Sequence, residues 1–175
     1  MSQSPAIGRT QVRVQFAHGL ESSPRGSKAR ILAEHFDATT PEMDTGDFEA
    51  CVAVHAAALR SFRPDLLVGS SFGGAVAVEL LRRALWRGPT LLLAQAALRR
   101  RPDARLPESV AVWLVHGLRD ELIDPDDSRR LAATGSPEFV RLALVDDDHR
   151  LARSVAEGRL VEWVRDLAAW RPRPR

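Results

Sequence analysis

Cysteine is nearly absent from this chain: Cys51 is the single thiol in 175 residues. A lone thiol excludes an internal disulfide, and without a cysteine partner it gives no ground for a zinc site. Its alanine-rich helical surroundings mark it as a small core residue. Long hydrophobic runs are missing as well. The longest apolar stretches, such as Thr90 to Leu98, fall well short of the roughly 20 residues a membrane span requires, and the first residues lack the charged-then-apolar pattern of a secretion signal. The expectation is a cytoplasmic protein that meets no membrane. Charge of one sign is also lacking, since 25 basic residues against 23 acidic ones leave a formal +2, although the predominance of arginine lifts the pI to 9.4. With no concentrated basic face, a nucleic-acid partner is not expected. Arg99-Arg100-Arg101 reads as a solvated loop, and the closing RPRPR as a frayed end. What is present is an ordinary globular composition, 45% apolar and 27% charged. Its length suits a single domain, residues 1–175, around one continuous core.

Hydrophobic periodicity divides the chain into alternating elements. After a polar lead-in, Met1 to Arg9, the positions Val12, Val14 and Phe16 alternate with Arg13 and Gln15 and stop at His18-Gly19, which predicts a short strand ending in a turn. Helical spacing follows from Ser27, a suitable N-cap, through Ile31, Leu32 and His35-Phe36. Ala38 to Asp44, with Pro41, is at best an edge strand. Asp47 to Phe62 reads as a helix presenting Phe48, Cys51, Val52, His55 and Leu59 on one face, and it ends before Arg63-Pro64. Thr90 to Ala97 and Val110 to Val115 are continuous apolar runs, as expected for strands covered on both faces. Leu98 to Ser109 has no periodicity. Asp124-Pro125 opens a helix to about Thr134, Phe139 to Val145 is the last strand, and Ser154 to Trp170 reads as one amphipathic helix. Such alternation predicts a three-layer α/β/α sandwich on a mostly parallel sheet. The polar clusters at His18-Gly19, Ser71, Asp120 and His149 all fall at carboxyl ends of strands, where such sheets carry their sites.

The stretch that carries most chemistry is Leu66 to Gly74. An apolar run, Leu66-Leu67-Val68, breaks at Gly69-Ser70-Ser71-Phe72-Gly73-Gly74, and an alanine- and leucine-rich helical pattern follows at once. Strand, sharp turn and helix with G-x-S-x-G at the turn is the pattern of a nucleophile elbow. Gly69 and Gly73 sit two residues before and after Ser71; the same offsets from Ser70 are Val68 and Phe72, so the spacing selects Ser71. A phosphate-binding loop is disfavoured because neither a G-K-[ST] lysine nor a G-x-G-x-x-G fingerprint is present.

A serine nucleophile requires a base, and five histidines compete for that role. His35 and His55 lie within helical patterns and read as packing residues; His18 and His116 precede the glycines of strand-end turns and read as braces. His149 alone follows the last strand, after both the serine and the acids in sequence. The acids near the preceding strand end are Asp120, Glu121 and Asp124, of which Asp124 is explained as a helix cap. Asp146-Asp147-Asp148 reads as a solvated loop, without the ligand spacing of a calcium site. The backbone amide of Phe72, at the start of the helix after the elbow, is a natural donor to an oxyanion.

The segment AHGLESSPRGSKA, the elbow VGSSFGG and the ending DDDHRL resemble the α/β-hydrolase superfamily and, within it, the small YqiA-type esterases. The resemblance covers nearly the whole chain. It implies a compact hydrolase fold with little or no lid, because there is no long insertion after the Leu91 strand. It also implies Asp120 as the acid of a Ser71, Asp120, His149 triad, the amide of Leu20 as the second oxyanion donor, and His18, Gly19, Gly69 and Gly73 as supports of the motifs. The expected activity is hydrolysis of a small-molecule ester with a small or medium acyl chain, with no cofactor and no metal. Thioester or peptide bonds would use the same residues. A hydrolase-fold binding or regulatory module without turnover is the alternative, and a cofactorless perhydrolase or haloperoxidase is a third reading.

Overall fold

A computed structural model describes residues 11–172. The lead-in Met1 to Arg9 and the last three residues of the RPRPR tail lie outside the described residues. Six strands form one sheet: β1 (Arg13–Ala17), β2 (Asp37–Thr39), β3 (Leu66–Ser70), β4 (Thr90–Leu93), β5 (Val112–Gly117) and β6 (Val140–Val145), in the order β2-β1-β3-β4-β5-β6. Every neighbouring pair is parallel. The helices are α1 (Ser27–His35), α2 (Phe48–Phe62), α3 (Phe72–Arg82), α4 (Ala97–Arg100), α5 (Pro125–Ala132), α6 (Ala152–Ala156) and α7 (Arg159–Ala169). Among the described residues no helix is long and apolar enough to cross a membrane.

The period-2 alternation of the strands divides the core into two halves. Leu67, Leu92, Val112 and Leu114 point to one face, where Cys51, Val52 and Leu59 of α2, Val76 and Leu80 of α3 and Leu131 of α5 cover them. Leu66, Val68, Leu91, Leu93 and Val115 point to the other, beneath Leu32 of α1 and Leu160, Val164 and Leu167 of α7. Two apolar faces covered by helices give the three layers, and the central strands read as unbroken apolar runs for this reason.

Several boundaries differ from the sequence reading. Ser27 is the first residue of α1; the cap position is Gly26, which makes no side-chain cap bond. The apolar run from Thr90 stops pairing at Leu93, because Ala94 takes a positive φ of 43° and turns the chain. Ala97 then opens the short helix α4 within what reads as aperiodic sequence. The segment from Ser154 to Trp170 is two helices, parted at Gly158 with φ 81°. His35 is exposed at the end of α1, whereas His55 is fully buried in α2. Asp47 and Asp124 cap α2 and α5 through bonds to the amides of Ala50 and Asp126.

From β1 the chain crosses outward to β2, then returns past β1 to place β3 on its other side, and thereafter proceeds away through β4, β5 and β6. The direction reverses between β1 and β3. In parallel sheets the crevice at that reversal, above the carboxyl ends of the strands, is where ligands are held.

Candidate active site

Ser71 is the single residue between β3 and α3, and its backbone is held at φ 53°, ψ −115°, a conformation that a serine rarely adopts. The surroundings impose it. Gly69 packs against the backbone of Gly73 and Gly74, and Gly73 lies on the carbonyl of Ala17, so a Cβ at either position would meet backbone. Ser71 N donates to Leu93 O at 2.9 Å, and its carbonyl accepts from Gly74 at 2.9 Å and Ala96 at 3.1 Å. The elbow is thus fastened to β1 and β4 at once.

Three side chains from three strand ends form a hydrogen-bonded row. Ser71 Oγ lies 3.0 Å from His149 Nε2, and His149 Nδ1 lies 2.7 Å from Asp120 Oδ2. The Asp120 side chain is fully buried and that of His149 largely so. Burial raises the Asp120 carboxyl pKa, but hydrogen bonds from the Ile123 amide, His149 and the Leu122 amide outweigh it and hold it below the usual carboxylate range. Asp120 Oδ1 accepts from the amides of Leu122 and Ile123 at 2.9 and 2.8 Å, and Oδ2 accepts from His116 Nε2 at 2.9 Å. Glu121 is exposed and Asp124 is spent on its helix cap.

His18 and Gly19 end β1 beside the elbow. His18 Nδ1 donates to Gly19 O at 2.8 Å, and a Cβ built on Gly19 would stand 4.0 Å from Ser71 Oγ. The next residue, Leu20, is exposed and borders the cleft. Among the described residues no protein acceptor is recorded for the amides of Leu20 and Phe72. The cleft itself has a volume of about 1030 Å³ and runs from Ser71 and His149 past Leu122 and Ile123 to Ile31 and Val155. Its walls are mixed, with apolar side chains facing Ser22, Ser23 and Lys28. Lys28 Nζ donates to Arg150 O at 2.7 Å, tying α1 to the residue after His149, and burial lowers the Lys28 pKa against the opposing pull of Asp148.

The loop that carries His149 is more ordered than a solvated acidic run. Asp147 is buried; its Oδ2 accepts from Ser154 N at 2.7 Å and its Oδ1 from Asp148 N at 2.9 Å, so it caps α6. Sequence reasoning placed His116 as a brace of its strand-end turn but missed its bond to Asp120. Both of its ring nitrogens are bonded inside the protein, and it braces the acid itself as well as the turn. An imidazole four residues before an acid in a strand-end turn was the available signal.

A search of solved structures finds a protein of the α/β-hydrolase superfamily from Xanthomonas campestris pv. campestris with TM-score 0.73 and 25% identity, covering 89% of this chain and 98% of that one. The fold is that of the α/β-hydrolase superfamily. A second α/β-hydrolase, described as a serine hydrolase without a lid and also from Xanthomonas campestris, superposes with TM-score 0.69 at 20% identity over 97% of this chain and 88% of its own. An esterase from Pyrococcus furiosus gives TM-score 0.65 at 17% identity, over 92% and 84%. No protein-family model and no curated protein matches the sequence. The α/β-hydrolase fold here is the compact, lidless form, since only α4 and a turn-rich segment separate β4 from β5. The narrower likeness to YqiA-type esterases rests on the three sequence motifs alone.

Proposed function

We propose that the protein is a serine hydrolase that cleaves small-molecule esters of small or medium acyl chains through an acyl-enzyme on Ser71. One observation carries this reading: a hydroxyl on a strained elbow, an imidazole and a buried carboxylate stand in hydrogen-bonded succession at 3.0 and 2.7 Å. His149 Nε2 takes the proton of Ser71 as Oγ bonds to the ester carbonyl carbon, and the carbonyl π pair moves onto oxygen. The amides of Phe72 and Leu20 are suited to donate to that oxyanion, the first aided by the dipole of α3. When the tetrahedral intermediate collapses, the alcohol leaves with the proton held by His149. Water then gives a proton to His149, attacks the acyl carbon, and releases the acid and the serine hydroxyl. Asp120 stabilises the imidazolium at each stage and keeps its Nε2 aimed at the serine.

The neighbours named as hydrolases and esterases agree with this reading. The absence of a lid favours shorter acyl chains, because nothing encloses a long tail once it extends beyond the cleft. The experiment is labelling with a fluorophosphonate probe, located by mass spectrometry, together with turnover of p-nitrophenyl acetate. Label on Ser71, and loss of both label and turnover in Ser71→Ala by a factor of about 10⁴ or more, is expected. A folded wild-type protein that takes no label would overturn the proposal.

A further inference from the structure

Behind Asp120 a second row of polar side chains runs into the core, where burial permits polar groups only if they are bonded. Gln95, His116 and Ser128 are all 0% exposed. Ala97 N donates to Gln95 Oε1 at 2.7 Å, Gln95 Nε2 meets Ser128 Oγ at 3.1 Å, Ser128 Oγ meets His116 Nδ1 at 2.7 Å, and His116 Nε2 meets Asp120 Oδ2 at 2.9 Å and Ile123 O at 3.1 Å.

The direction of every bond in this row follows from its first member. A backbone N–H can only donate, so Ala97 fixes which end of the Gln95 amide is oxygen. The NH2 end then donates to Ser128 Oγ. The serine hydrogen is left with His116 Nδ1 as its acceptor, which puts a lone pair on Nδ1 and the ring hydrogen on Nε2. That hydrogen faces a carboxylate oxygen and a carbonyl oxygen, both of which can only accept. No bond in the row is frustrated. Gln95 is itself wedged against the elbow, since a Cβ on Gly74 would stand 2.8 Å from Gln95 Cβ.

We propose that Gln95, Ser128 and His116 are positioning residues for the hydrolysis, an inference that rests on the function proposed above. The row selects the His116 tautomer that donates to Asp120 Oδ2, the same oxygen that receives His149, and so fixes the carboxylate in the one rotamer that aims the imidazole at Ser71. Three donors hold Asp120 without help from His149: the two amides on Oδ1 and His116 on Oδ2. The amides set its depth, and His116 sets the rotation of the carboxylate plane. Outer partners of this kind are commonly worth 10- to 100-fold in activity where they orient a histidine or carboxylate at metal sites, and a comparable loss is expected here.

The test is a set of variants of the full chain, assayed with p-nitrophenyl acetate, with folding checked by circular dichroism. His116→Leu is expected to lower kcat about 10- to 100-fold with KM within about twofold, because nothing in the row touches substrate. His116→Gln places an amide N–H near the position of Nε2 and is expected to recover most of that loss. Ser128→Ala keeps His116 but removes the donor to Nδ1. Long-range ¹H–¹⁵N correlation is expected to show the Nε2-protonated ring in the wild type and a mixture of tautomers in Ser128→Ala, with kcat lowered in step. A wild-type His116 protonated on Nδ1 alone would overturn the inference whatever the activity. So would full kcat in His116→Leu alongside a dead Ser71→Ala, an outcome that leaves the hydrolase reading intact. Loss of that reading itself would appear separately, as turnover that survives Ser71→Ala.

Discussion

At the scale of single residues, the decisive group is Asp120 Oδ2, which accepts from two imidazoles at 2.7 and 2.9 Å. Its other oxygen accepts from the amides of Leu122 and Ile123, and a group that must accept at both oxygens is suited only by an ionised carboxylate. Asp120→Asn would either turn an NH2 toward two N–H donors or flip and lose the amides of Leu122 and Ile123. The first choice lets His149 adopt the tautomer that cannot take the serine proton, and the second sets an NH2 against two backbone amides that can only donate, so the loop that holds the group is pushed out of place. A loss of kcat on the order of 10³- to 10⁴-fold is expected, with Ser71 still labelled by fluorophosphonate, only slowly; an Asn variant as fast as wild type would remove Asp120 from the proposed triad. The serine and the histidine were legible because elbow spacing and motif order are local and sequential. The second row was not. Ser128 sits on α5, His116 on β5 and Gln95 in the turn after β4, and no periodicity in sequence reveals that a glutamine after a strand meets a serine 33 positions later.

At the scale of elements, the sequence displayed what depends on burial and concealed what depends on backbone turns. β3 and β5 were visible as apolar runs, and α2 as a face of apolar residues with an aspartate before it. The apolar run at Thr90 overshot its strand because Ala94, Ala97 and Leu98 remain buried after the chain has turned, so hydrophobicity continues where pairing stops. The last helix read as one piece because its apolar stripe persists through Gly158. The elbow makes the sharpest prediction at this scale. A side chain on Gly73 would be driven into the carbonyl of Ala17, with His18 O close behind, and no flexible group is there to yield. Gly73→Ala is expected to cost about 3 kcal/mol or more of stability and to abolish turnover, read from the urea midpoint and p-nitrophenyl acetate hydrolysis. A variant of near-native midpoint would mean that β1 and the elbow are less tightly opposed.

At the scale of the whole molecule, acid should weaken the fold before the carboxylates are reached. His55 is buried beneath the sheet, and burial, helped by the nearby His18, lowers its pKa from 6.5 to about 4. The unfolded chain therefore takes up this proton first as pH falls. The stability held above pH 6.5 is lost progressively toward pH 4, with about 2 kcal/mol gone between pH 7.5 and 5. Glu79 acts in a lower window: the hydrogen bond from Arg82 foremost, then that from Arg83, holds it at about 2, so its contribution fades only between about pH 4.5 and 2. Urea midpoints at pH 7.5 and 5 are expected to differ in the wild type and to draw together in His55→Gln. An equal difference in both proteins would assign the acid sensitivity elsewhere.

The loops after β5 and β6 are stitched to one another, Leu118 N to Val145 O at 2.8 Å and Arg119 N to Asp147 O at 3.0 Å, with the Arg119 guanidinium 2.8 Å from Asp146. The carboxyl and the imidazole of the proposed triad are accordingly carried by one stitched pair of loops, while the hydroxyl stands on the elbow two strands away in the same sheet. Loosening those two loops together would lengthen the step from imidazole to hydroxyl before it disturbed the carboxylate's grip on the ring. Gentle warming should therefore dim turnover of p-nitrophenyl acetate at temperatures where circular dichroism still reports an intact sheet.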